Sequence, residues 1–274
     1  MKRSLLITGL ALSVAAPVAS VQAQDWQGFY IGASLGYDFQ PSDSNETILF
    51  DTNLDGRFTE NVNTAAGANA FTPGFCGGRA GGARPADGCS KESDGVEFGV
   101  RLGYDWQWDT FVLGALAEFS GHNIDDSVSA FSITPARYTM TRELDWMAAA
   151  RLRAGIAMPA ALVYVTGGLS RSDVAHTFST SNTVNTFTLR GNGDVTGYQL
   201  GGGVEWNLAD AWNVGAEYLY NKLDDDKHRV RTGPPAPATN PFILVNAAGT
   251  DFARSQSKFD YHALRLTLTY RFGG

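Results

Sequence analysis

The segment Asp51-Thr52-Asn53-Leu54-Asp55-Gly56 is where this 274-residue chain comes nearest to a metal-binding motif. Calcium is a hard cation that takes oxygen donors. A calcium loop offers them at positions one, three and five, with glycine at six for the sharp turn. The pattern then departs: position twelve is Val62 instead of a bidentate acid, and Glu60 stands two residues early. The preferred reading is a plain polar Asp-Gly turn, and the alternative is one calcium ion on Asp51, Asn53, Asp55 and Glu60. No other cofactor is expected.

Hydrolysis by a serine or aspartate needs a histidine held beside it. His122, His176, His228 and His262 show no such spacing beyond the two-residue step from Ser120 to His122, so the chain is expected not to be an enzyme. The histidines read as solvated loop residues, with capture of haem or a metal at the surface as the alternative. Cys76 and Cys89 are the only cysteines and share one loop segment. In an exported chain they read as a disulfide, the alternative being two free thiols.

A larger set of charges is spread over the chain. Glu97, Arg101, Asp105, Glu118, Arg151, Arg153, Glu205, Glu217, Arg265 and Arg271 each lie in a segment of period-two alternation, opposite an apolar face. Five acids and five arginines inside a barrel have two readings. They pair and fill the interior, because an unpaired buried charge is costly, or they line a narrow wet pore and set its selectivity. Pairing is preferred, since eight strands leave an interior just wide enough for side chains.

The elements that would position these charges are clearest at the end of the chain. Leu264, Leu266, Leu268, Tyr270 and Phe272 share one strand face, and Ala263, Arg265, Thr267, Thr269 and Arg271 share the other. Reading the same alternation throughout predicts eight strands: 28–39, 96–106, 110–120, 144–157, 161–171, 195–206, 212–223 and 259–272. Only the strand beginning Ala161 is ambiguous, because Leu162, Val163, Tyr164 and Val165 are apolar on both faces.

The predicted connections alternate. Long loops at 40–95, 121–143, 172–194 and 224–258 follow every odd strand, and tight turns at 107–109, 158–160 and 207–211 follow the even ones. Membrane barrels have this asymmetry, with short turns in the periplasm and long loops outside. A lipid-facing strand must join a closed barrel, because every backbone amide in a bilayer needs a partner. A soluble lipocalin-type barrel would turn its polar face outward and mix lysine with the acids there. These polar faces carry arginine, acid and glycine but no lysine. The six tryptophans, at 26, 106, 108, 146, 206 and 212, fall toward strand ends, as interface girdles require.

The chain opens with Lys2 and Arg3, an apolar run from Leu5 to Ala19, and the small-residue site Val21-Gln22-Ala23. This predicts a signal peptide over 1–23 and one outer-membrane barrel domain over 24–274. Mean hydropathy of -0.16 is compatible with a barrel, in which polar residues dilute the lipid-facing ones. A net charge of -7 and a pI near 5.1 leave no basic footprint for nucleic acid.

Several pieces, in order, resemble the porin-family outer-membrane barrels of the OmpA and opacity-protein class. They are Trp26-Gln27-Gly28-Phe29-Tyr30-Ile31-Gly32-Ala33, Gly103-Tyr104-Asp105-Trp106, Val112-Leu113-Gly114 through Gly121, Arg153-Ala154-Gly155, Tyr164 through Leu169, Gly201 through Glu205, Glu217-Tyr218-Leu219-Tyr220 and Tyr270-Arg271-Phe272. The resemblance implies an all-β, eight-stranded antiparallel up-and-down transmembrane barrel in the cell outer membrane. Only Gly273 and Gly274 follow Phe272, so it points to a barrel-only member without the peptidoglycan-binding domain of full-length OmpA proteins. The expected partners are outer-membrane lipid and lipopolysaccharide, and the assembly machinery during biogenesis. No nucleic acid is expected, and the sequence names no extracellular ligand. The expected role is a structural component with a lumen filled by ion pairs. The alternatives are a narrow porin for small polar solutes and a surface receptor or adhesin acting through its loops.

Overall fold

In the computed structural model, which describes residues 25–41, 45–191 and 193–272, eight long strands close a ring. The expected signal segment and the last two glycines lie outside the described residues. The strands are β1 (Gly28–Phe39), β2 (Gly95–Trp108), β3 (Phe111–Phe131), β4 (Arg137–Ala157), β5 (Ala161–Thr180), β6 (Val195–Ala209), β7 (Trp212–Asp224) and β8 (Lys258–Arg271). Each pairs antiparallel with its neighbours in sequence, and β1 pairs with β8 from Tyr30↔Arg271 to Phe39↔His262. The ring therefore has no free edge, which is what a bilayer demands of a strand protein. No helix among the described residues is long and apolar enough to cross a membrane.

Alternation sets the faces. Along β2 the buried residues Glu97, Arg101 and Asp105 interleave with exposed Phe98, Val100 and Leu102. The apolar belt continues through Leu152, Leu169, Leu200 and Leu266, each more than half exposed. A band of this kind would aggregate in water and is the surface a lipid solvent wants. In β5 the ambiguity resolves: Leu162 and Tyr164 point in, Val163 and Val165 out. The tight turns are as short as expected, and Asp109 and Asp210 take the left-handed backbone (φ 56° and 37°) that aspartate tolerates in turns. Trp106, Trp108, Trp206 and Trp212 are exposed at the turn end of the barrel, but Trp26 is fully buried and belongs to the interior, not to the girdle.

The largest departure from expectation is in the loops. The predicted loops 121–143 and 172–194 are mostly strand, because β3 runs on to Phe131, β4 begins at Arg137 and β5 extends to Thr180. A strand of 21 residues spans roughly 70 Å at about 3.3 Å per residue, well beyond a hydrocarbon core of about 30 Å even when tilted. Register shifts between Gly121 and Ile124, and between Leu144 and Trp146, mark where the wall leaves the membrane. Beyond them the interior turns apolar, so the continuous alternation that identified the membrane segments ends there.

Above the extended wall, all four outer connections build one cap. Strands Ile48–Asp51, Thr186–Arg190, Arg229–Gly233 and Thr250–Arg254 form a four-stranded sheet. Ile48, Phe50, Phe71, Val128, Tyr138, Met140, Val230, Phe242 and Phe252 make its core. Strand Gly74–Gly77 pairs with the outer end of β3, and Cys76 is disulfide-bonded to Cys89. Replacing Phe252, whose ring packs on Phe50 at 5.0 Å and on Phe242 at 5.5 Å, empties the middle of this core. Phe252→Ala is expected to cost about 3–5 kcal/mol within the cap. Limited trypsin digestion should then cut the cap at Arg229 and Arg231 while the barrel resists, and an unchanged digestion pattern would show that the cap does not depend on this core.

Candidate functional site

The candidate site is the barrel interior, and β4 crosses every level of it. From the turn end outward its larger inward side chains are Arg153, Arg151, Met147, Leu144, Arg142, Met140 and Tyr138. Glycine on neighbouring strands makes room for the guanidinium groups: a Cβ at Gly114 would lie 3.0 Å from Arg153 Cγ, and one at Gly36 would lie 3.0 Å from Arg265 Cγ.

At the first level, Arg153 donates from Nε to Asp105 Oδ1 at 2.8 Å and from Nη1 to Glu205 Oε1 at 2.6 Å. Arg271 Nη1 lies 2.8 Å from Asp105 Oδ2. Both arginines stack on the Tyr30 ring, at 4.6 and 5.0 Å. Two arginines thus meet two carboxylates beneath an aromatic lid. At the second level, Arg101 and Arg151 each reach Glu217 Oε1 at 3.1 Å, and reach Glu118 Oε2 at 2.8 and 3.1 Å. Arg265 donates to Glu97 Oε2 at 2.6 Å and also to Glu118. Tyr164 adds its hydroxyl to Glu217 Oε2 at 2.8 Å. Three arginines meet three glutamates, every one buried. All ten charges picked out by alternation lie in these two clusters.

Above them sits a level the alternation did not reveal. Ser120 Oγ is 2.8 Å from His122 Nε2, and His122 Nδ1 is 2.7 Å from Asp38 Oδ2. Nearby, Gln199 donates to Asn221 Oδ1 at 2.7 Å. An apolar layer follows, made by Ile124, Leu144, Met147, Val174, Val195, Leu223, Phe259 and Tyr261. A third ionic level closes the mouth. Arg142 and Arg254 share Asp126 Oδ2 at 2.6 and 2.8 Å, Arg254 Nε donates to Glu46 Oε1 at 2.8 Å, and His176 Nε2 lies 2.9 Å from Asp225 Oδ1. The apolar core of the cap lies above that.

Three of the four histidines are therefore not solvated. His122, His176 and His228 are buried because the lengthened wall and the cap enclose them. His262 faces outward among Phe39, Tyr218 and Tyr220, with Nδ1 2.6 Å from the Tyr218 hydroxyl. Asp38 continues the inward row of Ser34 and Gly36 within the predicted first strand, whereas Glu46, Asp126 and Asp225 are interior acids that lie outside the predicted strands.

In the first outer loop, Asp51 is buried and spends its carboxylate on its own turn. Its oxygens accept the backbone amides of Leu54 at 2.6 Å, Asp55 at 3.2 Å and Gly56 at 2.8 Å. Asn53 accepts the amide of Asp55 at 2.9 Å, and the Glu60 side chain meets Thr59 Oγ1 at 3.2 Å. Among the described residues, one group of three His, Cys, Asp or Glu side chains brings its donor atoms within 4.8 Å of one another, and it is Asp38, Glu97 and His122.

An apolar belt on a closed ring, polar pairing inside it and a structured cap at one end define an integral outer-membrane barrel. The family model for the outer membrane protein beta-barrel domain matches residues 7–272, and the chain belongs to that family. It is 26% identical over 277 residues to the 31 kDa outer-membrane immunogenic proteins of Brucella melitensis biotype 1 and Brucella suis biovar 1, covering 99% of this chain and 93% of each relative. Among solved structures it is similar to OprG of Pseudomonas aeruginosa, with a TM-score of 0.48 at 12% identity, covering 93% of this chain and all of that one. It is also similar to Neisserial surface protein A, with a TM-score of 0.34 at 10% identity, covering 89% and 97%. The chain is an outer-membrane protein.

The cap carries its own pH dependence. His228 stacks on His176 with ring centroids 4.1 Å apart, and neither of its ring nitrogens has a hydrogen-bond partner. Burial, then the charges of His176, Arg254 and Arg229, push its pKa down to about 3 against the pull of Asp225. Burial alone would raise Asp225, but the His176 hydrogen bond and the His176, Arg142 and His228 charges win and lower it. A folded value below the unfolded 6.5 means the stability contributed by His228 is complete above that pH and is lost as pH falls toward 3. Burial raises Glu46, whose titration works in the opposite sense. The His228 ring signal in NMR should show a neutral imidazole at pH 5, and a midpoint near 6.5 would contradict its burial.

Proposed function

We propose that this outer-membrane barrel is a structural component of the membrane, with a lumen sealed by its own side chains and no catalytic role. The observation that carries the reading is the sequence of levels inside the ring: two of paired arginines and acids, one apolar, a third ionic, and the cap core. A pore needs a wet path along fixed charges. Here the arginine and carboxylate groups of the first two levels are engaged with one another.

The Ser120–His122–Asp38 chain has the order of a hydrolytic relay. It faces a packed interior, however, with all three residues buried. This supports the non-enzymatic reading. Outer-membrane lipid, lipopolysaccharide and the assembly machinery are the partners proposed for the barrel wall.

Proteoliposomes carrying the folded chain should take up small sugars no faster than empty ones, and uptake at the rate of a porin control would overturn the proposal. Arg265→Ala and Arg151→Ala each strand buried glutamates, a loss of about 3–5 kcal/mol. Both variants should melt earlier in the heated-against-unheated mobility assay, or begin to admit solute. Variants that melt and exclude solute like the parent would remove the ion-pair lumen.

A second reading, a surface receptor or adhesin, is favoured by one observation. All four outer connections contribute to a cavity of about 260 Å³ on the cap, between Ile133, Asn182 and Phe242. A rigid scaffold presenting loop residues is a common way to build a binding face. The Brucella relatives are named as immunogenic, which for this chain would make the cap the presented surface.

A further inference from the structure

We propose that Asp38, Glu97 and His122 form a binding site in the lumen for one divalent transition-metal ion, with zinc as the representative. The three residues come from adjacent strands. Glu97 on β2 stands directly opposite His122 on β3, and Asp38 on β1 is two residues beyond Gly36, the partner of Glu97. Period-two alternation turns all three inward, and each is buried. This register brings two carboxylates to one imidazole nitrogen: His122 Nδ1 is 2.7 Å from Asp38 Oδ2 and 3.6 Å from Glu97 Oε2.

Two anionic oxygens face one ring nitrogen, and one of them, Glu97 Oε2, already accepts from Arg265 at 2.6 Å. Arg101, Arg151 and Arg265 are fully matched by Glu97, Glu118 and Glu217, so the second ionic level leaves no cation for Asp38. Asp38 is a fourth carboxylate beside three arginines. Its Oδ1 is fully buried and has no hydrogen-bond partner, which leaves one further anionic donor at the same place. A buried carboxylate oxygen in that state is costly unless a cation completes it.

The surroundings also suit a ligand histidine. His122 is held from behind by Ser120 Oγ, 2.8 Å from Nε2. A hydrogen bond on the far nitrogen fixes the ring orientation and directs the near nitrogen at the metal. One imidazole and two carboxylates make a borderline donor set that takes zinc and its first-row neighbours in preference to calcium or magnesium. The apolar layer of Ile124, Leu144 and Phe259 above the site makes loading during strand closure the expected route. A proton on His122 Nδ1 is the competitor for the position, and the metal would displace it.

The test uses the untagged chain, refolded without metal or with zinc or cobalt and freed of excess ion by gel filtration. The proposal expects close to one zinc per folded barrel and a higher melting temperature in zinc. Bound cobalt should show the visible spectrum of a nitrogen- and oxygen-ligated ion. His122→Ala and Asp38→Asn should each weaken zinc binding at least about tenfold. If a variant fails to fold, the metal content and cobalt spectrum of the parent decide alone. A folded parent that retains no zinc and gives no cobalt spectrum would overturn the proposal in favour of the proton. So would stoichiometric zinc that survives both substitutions, since it would then be bound elsewhere.

Discussion

Buried arginine–carboxylate pairing is the interaction on which the rest of this barrel depends. A bilayer forces the strands into a closed ring, because an unpaired edge amide has no water to turn to. Eight strands then fix a lumen about as wide as the side chains that point into it. Apolar residues are claimed by the lipid-facing side of every strand, so the inward positions fall to polar and charged groups. Desolvating an ion costs several kcal/mol, and only close, multiply bonded geometry recovers it. Glu118, which accepts from Arg101, Arg151 and Arg265 together, shows how that geometry is reached.

The same constraint explains why the barrel changes character along its axis. Inside the membrane segment, charged and polar groups face in and most leucines face out, with an inward cluster of Trp26, Val112 and Leu162 at the turn end. Past the register shifts near Gly121 and Asp145 the solvent outside is water, and the inward positions become Ile124, Leu144, Val128 and Met140. The outer part is thus organised like a soluble β-protein, with an apolar core and a polar surface. Arg142, Arg254, Asp126 and Glu46 stand between the two apolar layers, where the extended wall meets the cap sheet. The outer connections fold as one body because their apolar residues have no lipid to face and find one another.

How much of this was legible in the sequence follows from where one rule holds. Strands crossing lipid obey strict alternation, and Gly28–Phe39 has the bounds that alternation predicts. The inward charges on those strands were legible for the same reason. Beyond the membrane two rules overlap, and a stretch such as Ile124-Asp125-Asp126-Ser127-Val128 reads as loop although it is wall. His122 continues the inward row of Glu118 and Ser120, so its burial was available to anyone extending the strand by two residues. Asp225 and His176 were not, since their pairing depends on separate outer connections meeting. The Asp51 turn shows the opposite case: its spacing is visible in sequence, but the use of its carboxylate by three backbone amides is not.

The central claim, a lumen closed by side-chain pairing, is tested most directly by single-channel conductance of the refolded chain in a planar bilayer, with folding first confirmed by gel mobility. The account predicts a silent membrane at voltages where a porin control opens. Steady, ion-selective openings from demonstrably folded protein would contradict it and make the arginines and acids the lining of a pore.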